Sequence, residues 1–575
     1  MIQKLKELSK ENLEQTILEI AEVLSKAQYQ QLEEIIEKCR SESQELESAK
    51  MPVRMSQEFV NEKMKQIKVW MRQIDDGELY LNTEEYEDYS EGYWDSEWIT
   101  DYYDNQGIGD KIGSAIRFAE DCVDDRRYQE ANDIYEWLWE MSVCGEEEYD
   151  DPVDLEMLIE KEIVHTDIKQ LALLTLYADY QVQEADNRAQ DIYLYFSMYP
   201  FQKIHIEEMF RVGRENLTGT EQFWKDWIAL LKTKCGEAEG RLLQEAVLHQ
   251  EGLDGLVKMA DEDCQIHPSL YLAVMQEYDK KHDYVQIERT GERALEKIDS
   301  RLIIRSRTAL KAAYASSYLV HTEKMMNFCW EAFRSESTVR NFLRLFGTEE
   351  MAKQYGMRGK EVLDDRIKGN RADYVRNEEV RQNMIGDYEY YMLSFYAGDF
   401  EKVKLASKNP KGSLGWSSSF IRQGIRLILL YLYEEPLPSK AAAAISNYVG
   451  FQDDKESDEI LSFEREIIEQ SREHKTSVFW NYFKRWKRHF QTEEKERKRY
   501  LTWAKKIVYD RTDAIVGGKY RNHYSEVAIL LAIVAEIEEG MGVQGAKREI
   551  FAEYKRKFPR HSSFQAEMKT YFCIV

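Results

Sequence analysis

Residues 114–141 read SAIRFAEDCVDDRRYQEANDIYEWLWEM, and this stretch decides the fold prediction. Apolar residues recur in both halves at intervals of three and four, which is the period of an amphipathic helix. They are Ala115, Phe118, Ala119 and Cys122 in the first half and Tyr128, Ala131, Ile134, Tyr135 and Leu138 in the second. A short polar turn separates the halves, and the small residues Ala119 and Ala131 would let two helices approach closely. The stretch therefore predicts a helical hairpin.

Three later stretches repeat this spacing of aromatic and small residues, at 271–295, 309–332 and 397–406. The pattern resembles the tetratricopeptide (TPR) helix pair, in which such positions interlock between neighbouring helices. The spacings vary, and the proline that often closes such a repeat is missing. The predicted fold class is all-α, with irregular TPR-like helical hairpins stacked into a solenoid.

The composition agrees with helical structure. The chain has 575 residues, of which 28 are glycine and 8 are proline, so helix breakers are scarce. This length predicts more than one packed unit. The sequence divides by composition into an N-terminal helical bundle (1–74), an acidic aromatic-rich segment (75–107), TPR-like repeats (108–436) and a C-terminal helical region with a basic patch (437–575).

Charge and targeting features predict a cytoplasmic protein without a membrane partner. The net charge of −27 repels anionic lipid and nucleic acid in general, although a local basic patch could still bind either. The first fifteen residues lack the apolar core of a signal peptide, and the apolar stretch 527–535 is too short to span a bilayer. The seven cysteines never form CxC or CxxC, which indicates reduced thiols.

The two ends of the chain resemble the helical scaffold of bacterial SWIM-type zinc-finger proteins and their fingerless relatives. The similarity lies in the helical opening LSKENLEQTILEIAEVLSKAQYQQLEEIIEKC at 8–39 and in the closing helices at 523–569, with Tyr554, Phe558, Pro559 and Arg560 in a Tyr-x-x-x-Phe-Pro-Arg step. The resemblance implies a related helical scaffold. The SWIM finger needs CxC followed by CxH to hold zinc, and neither pair is present, so no zinc ligand carries over.

Residues 75–104 form an acidic aromatic arm, with twelve carboxylates, eight Tyr or Trp, and no Lys or Arg. Charge repulsion disfavours one packed helix, so we expect a partly ordered surface segment whose rings pack on neighbouring helices. Aromatic anchors inside a charged rim suit a basic protein surface. The residues predicted to face a protein partner are Tyr86, Tyr89, Trp94 and Trp98.

Residues 471–506 contain the basic patch, with twelve Lys or Arg against four Glu and interleaved aromatic residues. Phe479, Phe483, Trp486 and Phe490 recur at helical spacing, which favours a buried stripe. The cations predicted to face a partner are Lys484, Arg485, Lys487 and Arg488. Because basic residues with aromatics also bind single-stranded nucleic acid, a nucleic-acid-associated factor is the alternative to a protein-interaction scaffold.

Motifs for catalysis and cofactors are missing, so we predict no catalytic residue, no cofactor and no metal ligand. The glycines at 107–113 follow an acidic segment rather than a strand, which favours a helix-start turn over a phosphate site. The most metal-like grouping is Asp261, Asp263, Cys264 and His267, with Glu245 and His249 nearby. An unrecognised hydrolase that uses such dispersed groups is the second alternative. The sequence leaves the partner and the oligomeric state open.

Overall fold

A computed structural model describes residues 54–88, 97–146, 151–359, 361–363, 385–408, 412–416, 419–451 and 460–573. About 70% of the structure is helical and strands are few, which confirms the all-α prediction. The chain divides into two compact units, Met1–Phe223 and Trp224–Val575. Across the described ranges, no helix combines the length and the apolar character that a bilayer crossing requires.

The first unit is built around a set of packed helices and two small antiparallel sheets. Its elements are α1 (Gln57–Asp75), β1 (Asn82–Asp88), β2 (Glu97–Tyr103), α2 (Ile108–Asp124), α3 (Tyr128–Glu140), β3 (Ser142–Val143), β4 (Val153–Asp154), α4 (Leu155–Glu160), α5 (Ile168–Val182), α6 (Arg188–Tyr195) and α7 (Met209–Val212). Single-turn 3-10 helices lie at Phe201–Lys203 and Ile206–Glu208. Helix α8 (Thr220–Leu231) begins in the first unit and ends in the second, because the division falls after Phe223.

The predicted hairpin at 114–141 is present as α2 and α3, which pack against each other. The turn between them places Arg126 in the left-handed region, with φ at 65°. Every predicted stripe position except Tyr128 is buried, and Ala119 and Ala131 are both fully buried. Helix α3 also packs on α5, whose first turn is capped by the Asp167 carboxylate.

The acidic aromatic arm contains a structure that the sequence analysis did not predict. Strands β1 and β2 pair as an antiparallel hairpin, in which Asn82 lies opposite Tyr103 and Tyr86 lies opposite Ile99. Aromatic and β-branched residues favour extended structure, and side chains that alternate between two faces separate neighbouring carboxylates. The sequence predicts a partly ordered surface segment here and does not specify strand pairing, and residues 89–96 lie outside the described chain.

The second unit is helical throughout its described ranges. Its first helices are α9 (Glu237–Asp263), α10 (Leu270–Lys280), α11 (Tyr284–Lys297), α12 (Ile303–Tyr318), α13 (Thr322–Ser335), α14 (Val339–Arg344) and α15 (Glu349–Gln354), with a 3-10 turn at Gly356–Arg358. The later helices are α16 (Asp387–Tyr396), α17 (Phe400–Ala406), α18 (Ile421–Leu432), α19 (Lys440–Val449), α20 (Ser462–His474), α21 (Val478–Lys487), α22 (Glu494–Gly517), α23 (Tyr524–Gly540), α24 (Ala546–Lys557) and α25 (Ser562–Phe572), with a 3-10 turn at Arg521–His523.

Helices α9 to α13 pack mainly on their neighbours in sequence, and α10 also contacts α12. Gly291 shows how closely α11 and α12 approach: a Cβ atom at this position would lie 2.3 Å from the Cβ of Ala312. A small residue is therefore required at this crossing, as the repeated pattern at 271–295 suggested. Helix α9 contains a break at Gly252, where φ is 66°.

Long-range packing joins the two halves of the second unit. Helix α20 packs on α12 and α21 packs on α14, although more than a hundred residues separate them in sequence. Helix α18 contacts α17, α19, α22 and α23, and α23 in turn contacts α19, α24 and α25. This packing places α21 beside the loops that follow α14 and α18, and those loops complete the candidate site.

Candidate partner-binding site

The four cations predicted to face a partner lie at the carboxyl end of α21. The hydroxyl of Ser477 caps the opposite end by accepting a backbone N–H of the first turn at 3.2 Å. Lys484, Arg485 and Lys487 occupy the last turn, and Arg488 is the C-cap residue. Positive charge is favourable at this position because the helix dipole leaves the carboxyl end partially negative.

The aromatic residues of α21 form the buried stripe that their spacing predicts. The side chains exposed by no more than 2% are Phe479, Trp480, Tyr482, Phe483 and Trp486. The indole N–H of Trp486 donates to the backbone carbonyl of Tyr396 at 2.6 Å, which fixes the helix against α16. Phe490, the last predicted member, is only partly buried. The stripe therefore belongs to the core, and α21 presents its charged edge to the site.

Lys484 and Arg485 also have a structural role. Lys484 Nζ donates to the backbone carbonyl of Pro436 at 2.7 Å, and Arg485 Nη1 donates to that of Gly347 at 2.6 Å. Pro436 lies in the loop after α18, and Gly347 lies in the loop between α14 and α15. The basic end of α21 thus holds in place, through these hydrogen bonds, two loops that are far apart in the sequence.

Between these loops and α21 lies a cavity of about 580 Å³. Its walls are formed by Phe346, Gly347, Thr348, Glu349, Pro436, Leu437, Glu466, Gln470, His474, Asn481, Lys484, Arg485, Arg488 and His489. Three of the four predicted cations therefore meet in one site. Sequence analysis missed the wall residues of α20 and the two loops, because nothing in their local pattern indicates that they come together.

The basic side chains of the cavity differ in whether a carboxylate lies beside them. Arg485 Nη2 lies 3.0 Å from the carboxylate of Glu466, and His489 Nε2 lies 3.6 Å from that of Glu349. The side chain of Arg488 is exposed and has no hydrogen bond or ion pair with the part of the chain that the structure describes. Arg488 is consequently the cation best able to bind an anionic group from outside.

A smaller cavity of about 140 Å³ adjoins the same edge of α21. It is lined by Tyr433, Glu434, Glu435, Trp480, Phe483, Lys484, Lys487, Arg488 and Gln491. The indole N–H of Trp480 is buried without a hydrogen-bond acceptor in the described chain. Lys484 and Arg488 line both cavities, so the same two positive charges would attract an anion bound in either one.

Lys487 is the most strongly perturbed cation of the group. Its Nζ donates to the backbone carbonyl of Tyr433 at 2.6 Å and lies 3.2 Å from the carboxylate of Glu434. Burial lowers the pKa of Lys487 to about 8, and the nearby Glu434 carboxylate only partly opposes this effect. Burial also lowers the pKa of Lys484, with the neighbouring charge of Arg488 as a further cause.

The predicted residues of the acidic arm are less completely described. Tyr86 lies in β1 and is 44% exposed, which makes its ring available on the surface of the hairpin. Trp98 lies in β2 opposite Glu87. Tyr89 and Trp94 lie outside the described residues. The structure thus gives one exposed ring of the four predicted residues and places a second residue in the same hairpin.

The glycine-rich stretch at 107–113 is a helix start, as predicted. The Asp104 carboxylate accepts hydrogen bonds from the backbone N–H groups of Ile108 and Gly109, both at 2.8 Å. Gly107, the N-cap residue, has φ at 65°. A carboxylate of the chain therefore occupies the position where an anion would bind at this helix terminus.

The metal-like grouping of the sequence is held by other contacts. Asp261 accepts a hydrogen bond from the Tyr271 hydroxyl at 2.7 Å and pairs with Arg293 at 2.9 Å. The buried ring of His267 bonds the backbone carbonyl of Leu231 through Nε2 at 3.1 Å. Within the described ranges, no three His, Cys, Asp or Glu side chains come together as a metal-binding group.

No protein-family model matches the chain, and a search of curated proteins finds no significant similarity. The resemblances to TPR and SWIM-type scaffolds stay predictions.

Proposed function

We propose that this chain is a non-catalytic helical-repeat scaffold whose second unit binds an acidic segment of a protein partner at the basic end of α21. In this scaffold α10 to α13 are irregular TPR-like hairpins of a solenoid, an interpretation supported by the successive packing of neighbouring helices and by Gly291, which lets two of them approach closely. Repeat proteins commonly bind partners through the surfaces that stacked helices create.

The observation that carries this proposal is the convergence of Lys484, Arg485 and Arg488 on the cavity of about 580 Å³. A cavity of this size accepts several side chains of an extended peptide. Leu437 in its wall is 49% exposed and offers an apolar contact beside the charges. A partner segment that alternates carboxylates with large apolar residues matches this combination.

Burial of the aromatic stripe favours a protein partner over single-stranded nucleic acid. Non-specific binding of single strands depends on rings on which bases stack. Phe479, Phe483 and Trp486 are each no more than 1% exposed, so they offer no such platform. The cations alone would still attract phosphates, which makes an oligonucleotide a necessary comparison in any binding experiment.

The first test is fluorescence anisotropy with a labelled synthetic peptide of alternating glutamate and tyrosine. Because the protein carries a net charge of −27, general electrostatics disfavour this peptide, and binding would report local attraction. We expect Arg488→Glu to weaken binding at least about tenfold, the range for losing a hydrogen bond to a charged group.

The matched control is Lys495→Glu, an equal charge change at an exposed residue of α22 that does not line the cavity. It should leave peptide binding nearly unchanged. Equal losses in the two variants, or no saturable binding to the wild type, would count against the proposed site. Tighter binding of a single-stranded oligonucleotide, also lost in Arg488→Glu, would favour the nucleic-acid alternative.

A further inference from the structure

A cluster of buried charge outside the two cavities contains more cations than carboxylates. Arg422 and Arg426 lie on α18, one turn apart, while Arg511 lies on α22 and Glu526 on α23. Arg426, Arg511 and Glu526 are exposed by 5%, 3% and 9%. Three guanidinium groups thus face one carboxylate, which leaves two positive charges without a matching negative charge.

The contacts with Glu526 are longer than those of the other buried ion pairs. Its Oε2 lies 3.3 Å from Arg422 Nη2, and its Oε1 lies 3.6 Å from the Nη2 atoms of both Arg426 and Arg511. By contrast, Arg344 Nε lies 3.0 Å from Glu464. A charge-assisted hydrogen bond is typically about 2.7–2.9 Å. Glu526 therefore lies beyond the usual hydrogen-bond distance from two of its three guanidinium neighbours, Arg426 and Arg511.

The remaining contacts of the arginines are with neutral groups. Arg511 Nη1 donates to the backbone carbonyls of Ser413 and Leu414 at 2.8 and 2.9 Å. Arg426 Nη1 donates to the carbonyl of Arg422 at 2.7 Å. The Nε groups of Arg422 and Arg511 are buried and lack an acceptor among the described residues.

Aromatic rings cover the cluster and add no negative charge. Tyr448 lies 4.1 Å from the guanidinium of Arg426, and Trp416 lies 4.8 Å from that of Arg511. The other titratable group in contact with the carboxylate is His523, whose Nδ1 lies 3.4 Å from Glu526, and a histidine side chain supplies no negative charge. Since arginine stays protonated inside proteins, deprotonation cannot remove the imbalance.

We propose that this arginine cluster, formed by Arg422, Arg426, Arg511 and Glu526, binds a phosphate-type oxyanion. A buried charge without a counter-charge is strongly destabilising, and a tetrahedral dianion would supply both the missing charge and acceptors for the two Nε donors. Arg422 is 35% exposed at its side chain and is therefore the member of the cluster that solvent reaches most. The inference is independent of the cavity at α21.

The test is calorimetric titration of the full chain with inorganic phosphate, together with thermal unfolding in phosphate and in chloride at equal ionic strength. We expect saturable binding and a higher unfolding temperature in phosphate, because a ligand of the native state stabilises it. A parallel titration with phenyl phosphate distinguishes a free ion from a phosphoryl group carried by a larger molecule; binding of either supports the site.

Two variants separate an anion site from a purely structural cluster. Arg422→Gln, at the partly exposed member, should keep the helical circular dichroism and weaken phosphate binding by about tenfold or more. Glu526→Gln raises the excess charge, so its unfolding temperature should fall in chloride and recover by a larger increment in phosphate than that of the wild type.

The matched control is Glu464→Gln, which alters the buried pair of Arg344 and should lower the unfolding temperature equally in both salts. Phosphate binding in the wild type that Arg422→Gln leaves unchanged would overturn the proposal. Failure of the wild type to bind either anion, or equal effects of the two salts on Glu526→Gln, would also overturn it. None of these results depends on peptide binding at Arg488.

Discussion

Arg344 Nε donates to the carboxylate of Glu464 over 3.0 Å, although 120 residues of chain separate them. Both side chains are buried, and the same carboxylate accepts a hydrogen bond from the Tyr482 hydroxyl at 2.7 Å. This contact joins α14, α20 and α21, so the position of the candidate site depends on it. Burial by itself would raise the pKa of Glu464, but Arg344 together with hydrogen bonds from Tyr482 and the Leu461 backbone outweighs burial and lowers it.

Removing one member of this pair should destabilise the protein strongly. Arg344→Met leaves the Glu464 carboxylate buried without a counter-charge, and we expect a loss of about 3–5 kcal/mol in the free energy of unfolding. Urea denaturation monitored by circular dichroism measures it. The double variant Arg344→Met, Glu464→Leu should recover most of the loss; a double variant as unstable as the single one would show that the pair contributes more than charge compensation.

Gly291→Ala should destabilise the second unit because the added Cβ would lie 2.3 Å from the Cβ of Ala312. Overpacking of this kind costs about 1–3 kcal/mol. Thermal unfolding measures the change. The matched control is Gly540→Ala near the end of α23, where an added Cβ has no neighbour within 4 Å and should be neutral or slightly stabilising. Equal stability of Gly291→Ala and the wild type would contradict the close crossing.

Asp179 on α5 should make stability depend on pH between about 4 and about 6. Its side chain is 1% exposed, and burial raises its pKa to about 6 from 3.8. The native state binds the proton more tightly than the unfolded state, so this group's contribution falls as pH rises from about 4 to about 6. Asp179→Asn removes the charge, and we expect it to be about 1–3 kcal/mol more stable at neutral pH.

Thermal unfolding of both proteins across that pH range provides the measurement. At acid pH the wild-type carboxyl is already protonated, so the difference between the proteins should shrink toward zero. A stability difference that is constant with pH would assign the effect of Asp179→Asn to packing or to the hydrogen bond that Gln183 donates at 2.9 Å.

Lys487 should lose its proton near pH 8, well below an ordinary lysine. Because its pKa is lower in the native than in the unfolded state, its contribution to stability should increase as pH rises from about 8 to about 10. An NMR titration of the lysine Cε signals, assigned with Lys487→Arg, gives the midpoint. Glu434→Gln removes a group that holds the proton and should lower this midpoint further; an unchanged midpoint would show that Glu434 has no influence.

The sequence was sufficient to predict those features that depend on the spacing of apolar residues along a single helix. The buried stripe of α21 and the hairpin at 114–141 follow from residues three and four apart, because each such residue faces the same side of its helix. The hairpin of β1 and β2 was not predicted. The alternation of its side chains between two faces is short, and its many carboxylates suggested charge repulsion instead of strand pairing. Local pattern contains no information about which strand lies opposite.

The site itself was predictable only in part. Lys484, Arg485 and Arg488 were singled out as cations at the end of an aromatic helix, and they do line the cavity. Their acceptors, the carbonyls of Gly347 and Pro436, are backbone atoms far away in sequence and have no signature in residue type. The arginine cluster was missed for the same reason, because α18, α22 and α23 meet only in the folded chain.

Lys484 and Arg488 belong to the walls of both cavities at the end of α21, and this sharing has a thermodynamic consequence. An anion bound in one cavity would attract Lys484 and Arg488 toward itself and so lower the positive potential in the other cavity. Two anionic occupants would therefore bind with negative cooperativity. By linkage, the free-energy penalty that each occupant imposes on the binding of the other must be equal. Each ligand would therefore weaken the binding of the other at this helix end.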